Sequence, residues 1–181
     1  MRVDMRNYFF ITLAAMAVYS TAANAEDTIA CSKDMVCASN PASVVTALQE
    51  AGFSAKLVNN SYGEPLIASD TKGYNFAVAF YGCVKNDKCD ALHFRSSFSP
   101  DLIYTAEYAN DFILDHRYLA AVVTANKKLR LSYDITTVGG LNKRNFAEVT
   151  RIWATSLGDF SKYSVERKAK AAALQSPPPQ P

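Results

Sequence analysis

Two C-x5-C pairs, Cys31–Cys37 and Cys83–Cys89, hold all four cysteines of the chain and carry its clearest chemistry. In an oxidising compartment an even number of thiols reads as disulfides, although four admit three pairings. The two local pairs are favoured, because Cys83 and Cys89 stand where two alternating runs meet in a hairpin. Each short loop closed in this way stabilises the fold by about 2–3 kcal/mol. Zinc is the competing use of these residues. It needs thiolates from both pairs in one tetrahedron, and the usual ligand spacing is shorter. No metal or other cofactor is expected.

The chain has two histidines. His93 falls mid-strand beside Arg95 and opposite Ala79. No positioned carboxylate or nucleophile is evident there, so it is expected to be structural or exposed rather than a general base. Asp115-His116-Arg117 sits at an element boundary with its charges toward solvent. No G-x-S-x-G, H-E-x-x-H or phosphate-cradling glycine loop occurs. Gly139-Gly140 reads as strand-to-helix punctuation. No catalytic residue is assigned.

The element that positions these groups is the hairpin from Tyr74 to Phe98. Two runs of strict apolar alternation flank the loop Val84–Lys88, the pattern of half-buried strands. With Cys83 opposite Cys89, Phe80 faces Leu92, Val78 faces Phe94 and Tyr74 faces Phe98. Opposed residues share a face, so the bulky row points one way. The other side carries Asn75, Ala77, Ala79 and Tyr81 against Ser97, Arg95, His93 and Ala91. A slip of one residue would set aromatic side chains on the small, polar face. The small face, from Asn75, Ala77, Ala79 and Tyr81 to His93, Arg95 and Ser97, or else an exposed edge strand, is the candidate surface for an extended peptide or a second subunit. The competing reading is an ordinary solvent face.

Around the hairpin, Asn40-Pro41 opens a helix with Val44, Val45, Leu48 and Ala51 inward, ended by Gly52. Short strands follow at Ala55–Asn59 and Pro65–Ser69. Ser99-Pro100-Asp101 caps a second helix over about Asp101–Asp115, with an irregularity inside it. Arg117–Thr124 and Leu129–Thr137 form a second hairpin, with Leu129, Leu131, Tyr133 and Ile135 inward. Asn142 caps a last helix whose stripe of Phe146, Val149, Trp153, Leu157 and Phe160 reads as core. The order α-β-β-β-β-α-β-β-α describes an α+β domain, an antiparallel sheet with helices packed on one face.

The N-terminus sets the compartment. Arg2 and Arg6, an apolar run from Tyr8 to Val18 and Ala23-Asn24-Ala25 have the layout of a cleaved secretory leader. The run is too short to span a bilayer, and Cys31 lies too far beyond it to be a lipid acceptor. Cleavage after Ala25 makes the mature chain periplasmic or secreted, with no stable membrane insertion expected. The leader holds two of the nineteen basic and one of the seventeen acidic residues, which leaves a net +1. After residue 160, Lys162, Arg167, Lys168 and Lys170 against Glu166 give +3, which leaves about −2 on the body, and so near-neutral a body offers no footprint for nucleic acid. The expected layout is a leader over 1–25, a disulfide-pinned strap over 26–39, the α+β domain over 40–164 and a basic, proline-ended, disordered tail over 165–181.

The phrases GEPLIAS (Gly63–Ser69), FAVAFYGC (Phe76–Cys83), C-x-x-L-H-F (Cys89–Phe94), HRYLAA (His116–Ala121) and VGGLNKRNFAEVTRIW (Val138–Trp153) resemble, in this order, the YbjN family. The resemblance covers about Asn40 to Tyr163, and its motifs are diagnostic of fold rather than of catalysis. It implies a fold like that of the small dimeric chaperones of type III secretion, a homodimer, and a role in sensory-transduction regulation. Relatives tend to show N-x-W-N where this chain has Asn110-Asp111-Phe112-Ile113, so a partner surface there would differ in specificity. The reading is an exported, non-enzymatic protein that binds a protein or peptide partner. The alternatives are a small-ligand-binding or hydrolytic envelope enzyme and a structural envelope component tethered by its tail. The enzyme would need one deep pocket collecting His93, Arg95 and Tyr81 with a carboxylate.

Overall fold

The computed structural model describes residues 31–71, 73–85 and 87–175. The expected leader over 1–25 and the terminal proline run lie outside the described residues. The chain runs through β1 (Met35–Val36), α1 (Pro41–Glu50), β2 (Ser54–Asn59), β3 (Pro65–Thr71), β4 (Tyr74–Tyr81) and β5 (Ala91–Phe98). It continues through α2 (Ala106–Leu114), β6 (Ala120–Val123), β7 (Leu129–Thr136), β8 (Leu141–Asn142) and α3 (Lys143–Gln175). Six strands form one antiparallel sheet in the order β2-β3-β4-β5-β7-β6.

The hairpin has the register that its alternation specifies. Phe80 pairs with Leu92, Val78 with Phe94, Ala79 with His93 and Ala77 with Arg95. Beyond these pairs the Ser96 hydroxyl donates to the Asn75 carbonyl at 2.8 Å. Phe76, Val78, Phe80, Leu92 and Phe94 are buried, and so are Leu129 and Leu131 of β7 on the same side. Trp153, fully buried on α3, lies edge-on to Phe76 at 5.9 Å and tilted against Phe94 at 6.0 Å. Phe160 packs on Phe98 at 4.4 Å and on Phe112 of α2 at 5.1 Å. The aromatic stripe of the last helix is therefore the core itself, and the helices cover one side of the sheet.

The first helix begins and ends as its sequence dictates. The Asn40 side chain accepts from Ser43 N–H, and Gly52 at φ +86° lets Phe53 N–H reach the Leu48 carbonyl at 3.0 Å. The second helix starts later than expected, at Ala106 rather than Asp101. Asp101 instead accepts from Ile103 N–H at 3.1 Å and closes a local turn. That turn leaves Tyr104 buried, and Thr105 in extended backbone becomes the N-cap, accepting from Tyr108 N–H at 3.1 Å. The strand expected from Arg117 begins only at Ala120, because Tyr118 turns the backbone at φ +23°.

Two further differences concern the ends of the domain. Part of the strap is integral rather than merely pinned: β1 pairs with β8, and Val36, Cys37 and Ala38 are buried. Gly140, at φ +85°, lies so close that an added Cβ would sit 2.8 Å from Met35 Cβ. At the other end, α3 continues to Gln175, through much of the stretch expected to be a disordered tail. Its last turns are held by partners on another element, with Arg167 paired to Asp111 and Lys168 Nζ 2.7 Å from Asp101.

Candidate functional site

The side of the sheet away from the helices carries the residues singled out by their alternation. Asn75, Ala77, Ala79 and Tyr81 of β4 lie there beside His93, Arg95 and Ser97 of β5. Ala77, Ala79, His93 and Arg95 are half-buried among their neighbours, and Tyr81 is 52% exposed. The registers extend the face across the sheet. One row runs Lys56, Ala68, Ala77, Arg95, Ser132 and Ala120, from one edge to the other. Ser132 faces outward as its alternation requires, yet it is buried, set opposite Arg95 on one side and Ala120 on the other.

His93 is not isolated. Its Nδ1 lies 2.5 Å from Oδ1 of Asp134, the residue opposite it on β7, and its ring meets Tyr81 edge-on at 5.5 Å. The carboxylate that the local sequence lacks comes from a strand 41 residues away. Its signal is the outward row Arg130, Ser132 and Asp134 of β7, which becomes useful only once β7 is known to lie beside β5. The pair orients the imidazole but presents it with no nucleophile. Beside it, between the sheet and the loop before β3, is a cavity of about 220 Å³ lined by residues that include Asn60, Glu64, Ala79, Tyr81 and Arg95. His93 is not part of that lining, so this cavity does not collect it with Arg95 and Tyr81.

His116 departs from the expectation of a solvent-facing cluster. Its ring stacks on Phe112 at 4.0 Å, and Nδ1 is 2.7 Å from the Phe112 carbonyl, to which it donates. Nε2 stands 3.8 Å from Asp159 on α3. Asp115 and Arg117 are exposed, as expected. The imidazole is tucked under the end of α2 by the aromatic contact that a one-dimensional reading does not supply.

Cys31 is bonded to Cys37 and Cys83 to Cys89, and none of these thiols is free for a metal. Among the described residues no cluster of three or more histidine, cysteine, aspartate or glutamate side chains could hold an ion, and no helix is long and apolar enough to cross a membrane. The shifted groups lie off this face, at Asp101 before α2, on α2 itself, at Tyr133 on the covered side of β7 and along α3. Burial pushes the Tyr108 phenol up to about 12. The hydrogen bond from Lys168 holds the Asp101 carboxyl below the usual carboxylate range.

The fold and this surface define a small α+β domain with one covered and one open sheet face. The chain belongs to the YbjN family: the model of that family, described as "Putative bacterial sensory transduction regulator", matches residues 40–163. Among solved structures it is similar to "YbjN, a putative transcription regulator from E. coli", with a TM-score of 0.52 and 12% identity, over 76% of this chain and 96% of that one. At that identity the likeness concerns the fold. No curated protein matches the chain significantly.

Proposed function

We propose that the protein is an exported, non-enzymatic member of its family that binds a protein or peptide partner in a regulatory or chaperone-like role, with the helix-free face of the sheet receiving that partner. The observation that carries this reading is the centre of the face. Ala77 and Ala79 lie side by side with Ala68 and Leu66 of β3, and the helices among the described residues pack on the other side of the sheet. Small side chains there let another backbone approach closely, while Tyr81, His93 and Arg95 supply polar handles at the margin. Two disulfides support a compartment outside the cytoplasm. In this reading residues 1–25 are removed on export, and the strap, the domain and the tail form the mature chain. A second subunit of the same chain is the alternative occupant of this face.

Ala79→Arg tests the reading. The substitution puts a long cation in the middle of the face without touching the core. Sedimentation velocity and cross-linked capture from periplasmic extract, with and without reductant, should both show loss of the heavier species. Unchanged mass together with unchanged capture would remove the proposal.

A further inference from the structure

We infer that the partner of this face is acidic: an extended polypeptide segment with carboxylates on alternate residues. The inference rests on the proposed use of the face and adds the chemistry of what lies on it.

The basis is charge complementarity. The outward positions of the sheet carry the carboxylates Asp70 and Asp134, and both are engaged, by the Ser54 hydroxyl and by His93. They also carry Lys56, Arg95 and Arg130, and none of these three forms an ion pair among the described residues. The contrast with the covered side is clear, since five of the seven cations on α3 hold a carboxylate. Arg95 is the central cation, half-buried on the wall of the 220 Å³ cavity. Glu64 shares that cavity, but its carboxylate accepts from Asn60 Nδ2 at 2.6 Å. A planar guanidinium that has no partner among the described residues, at the edge of a recess, is suited to grip a carboxylate with two parallel hydrogen bonds.

The spacing selects an extended chain. Arg95 is opposite Ser132, and Arg130 lies two residues along the same strand. That diagonal is about 7–8 Å, close to the repeat of about 7 Å between same-side residues of an extended peptide. Lys56 stands in the same row as Arg95, three strands away, or about 14 Å at the usual strand spacing. Carboxylates at i, i+2 and i+6 would reach all three. Three cations interspersed with two carboxylates fall short of the continuous basic stripe that a phosphate backbone needs. The segment is therefore polypeptide rather than nucleic acid.

The test uses the isotope-labelled mature chain and an amidated peptide alternating Glu and Ser, with a Gln-Ser peptide as control. The expected result is saturable binding of the Glu peptide that weakens with salt and shifts the resonances of β4, β5 and β7. Arg95→Gln and Arg130→Gln should each weaken it by about tenfold, the loss of one charged contact. Arg144→Gln, at an exposed site on α3, should leave it unchanged. Near-UV circular dichroism checks that each variant is folded. Equal binding of the Gln peptide, shifts confined to the helices, no saturable binding, or tighter binding of an oligothymidylate would overturn the inference. If Ala79→Arg abolishes capture while the Glu peptide does not bind, the face keeps its partner and only the acidity is wrong.

Discussion

Tyr108 shows how far burial alone can move a side chain. The residue is 4% exposed, and its hydroxyl is buried with no hydrogen-bond partner of normal geometry among the described residues. Loss of solvent raises the phenol to about 12, and Ser164 only partly offsets the effect. An unfolded tyrosine gives up its proton near 10, so between about pH 10 and 12 the unfolded state holds fewer protons than the native one. Stability then falls as pH rises through that window, by at most about 1.4 kcal/mol per pH unit. Tyr108→Phe should leave stability at pH 7 within about 1 kcal/mol and flatten the alkaline loss relative to the parent. Urea midpoints from pH 9 to 11.5 check this, and parallel curves for the two proteins would contradict it.

Among the elements, those whose partners are near in sequence were legible and those whose partners are distant were not. The β4–β5 hairpin could be read because alternation and two cysteines specify the same alignment, and that alignment is observed. The seven residues of its outer face came with it. Lys56, Arg130 and Asp134 belong to the same surface through pairings across other strands, and no local spacing encodes those. The start of α2 is ambiguous in the sequence because Ser99-Pro100 and Thr105 both suit a helix start, and burial of Tyr104 decides between them. The length of α3 is open in the sequence, because its alanine-rich end could extend the helix but carries no apolar repeat, and its partners, Asp101 and Asp111, lie on or before another helix.

These elements make two predictions. Replacing Cys83 and Cys89 by serine should cost about 2–3 kcal/mol in chemical unfolding, with the strand register kept, because the buried row from Phe76 to Phe80 still specifies it. Cross-strand nuclear Overhauser contacts between residues 78 and 94 report on that register, and their loss would mean that the disulfide is what fixes it. Lys168 lowers the Asp101 pKa, so its contribution is present above the ordinary carboxylate value and is lost as pH falls through the depressed one. Below about pH 4 the last turns of α3 should therefore loosen, at a cost within about 1 kcal/mol for so exposed a pair. Amide exchange over residues 167–171, corrected for its intrinsic pH dependence, reads this directly. Unchanged protection would assign the helix end to packing alone.

Taken together, the chain puts its buried aromatic rows and its helices on one side of a sheet and leaves the other side to small residues, the His93–Asp134 pair and three cations that form no ion pair among the described residues. An antiparallel sheet can leave one face wet without further purpose. What argues for use is the combination of an open centre at Ala77 and Ala79 with Arg95 set beside a recess. If the tail beyond residue 164 acted as an envelope tether instead, its removal would change localisation, whereas a partner-binding sheet face predicts no change. The most direct measurement is site-specific photo-cross-linking in cells, with a benzophenone side chain replacing Ala77 on the face or Arg144 on α3. A discrete adduct from position 77 and none from position 144 is the predicted result. Adducts from position 144 alone, or from neither position, would contradict it.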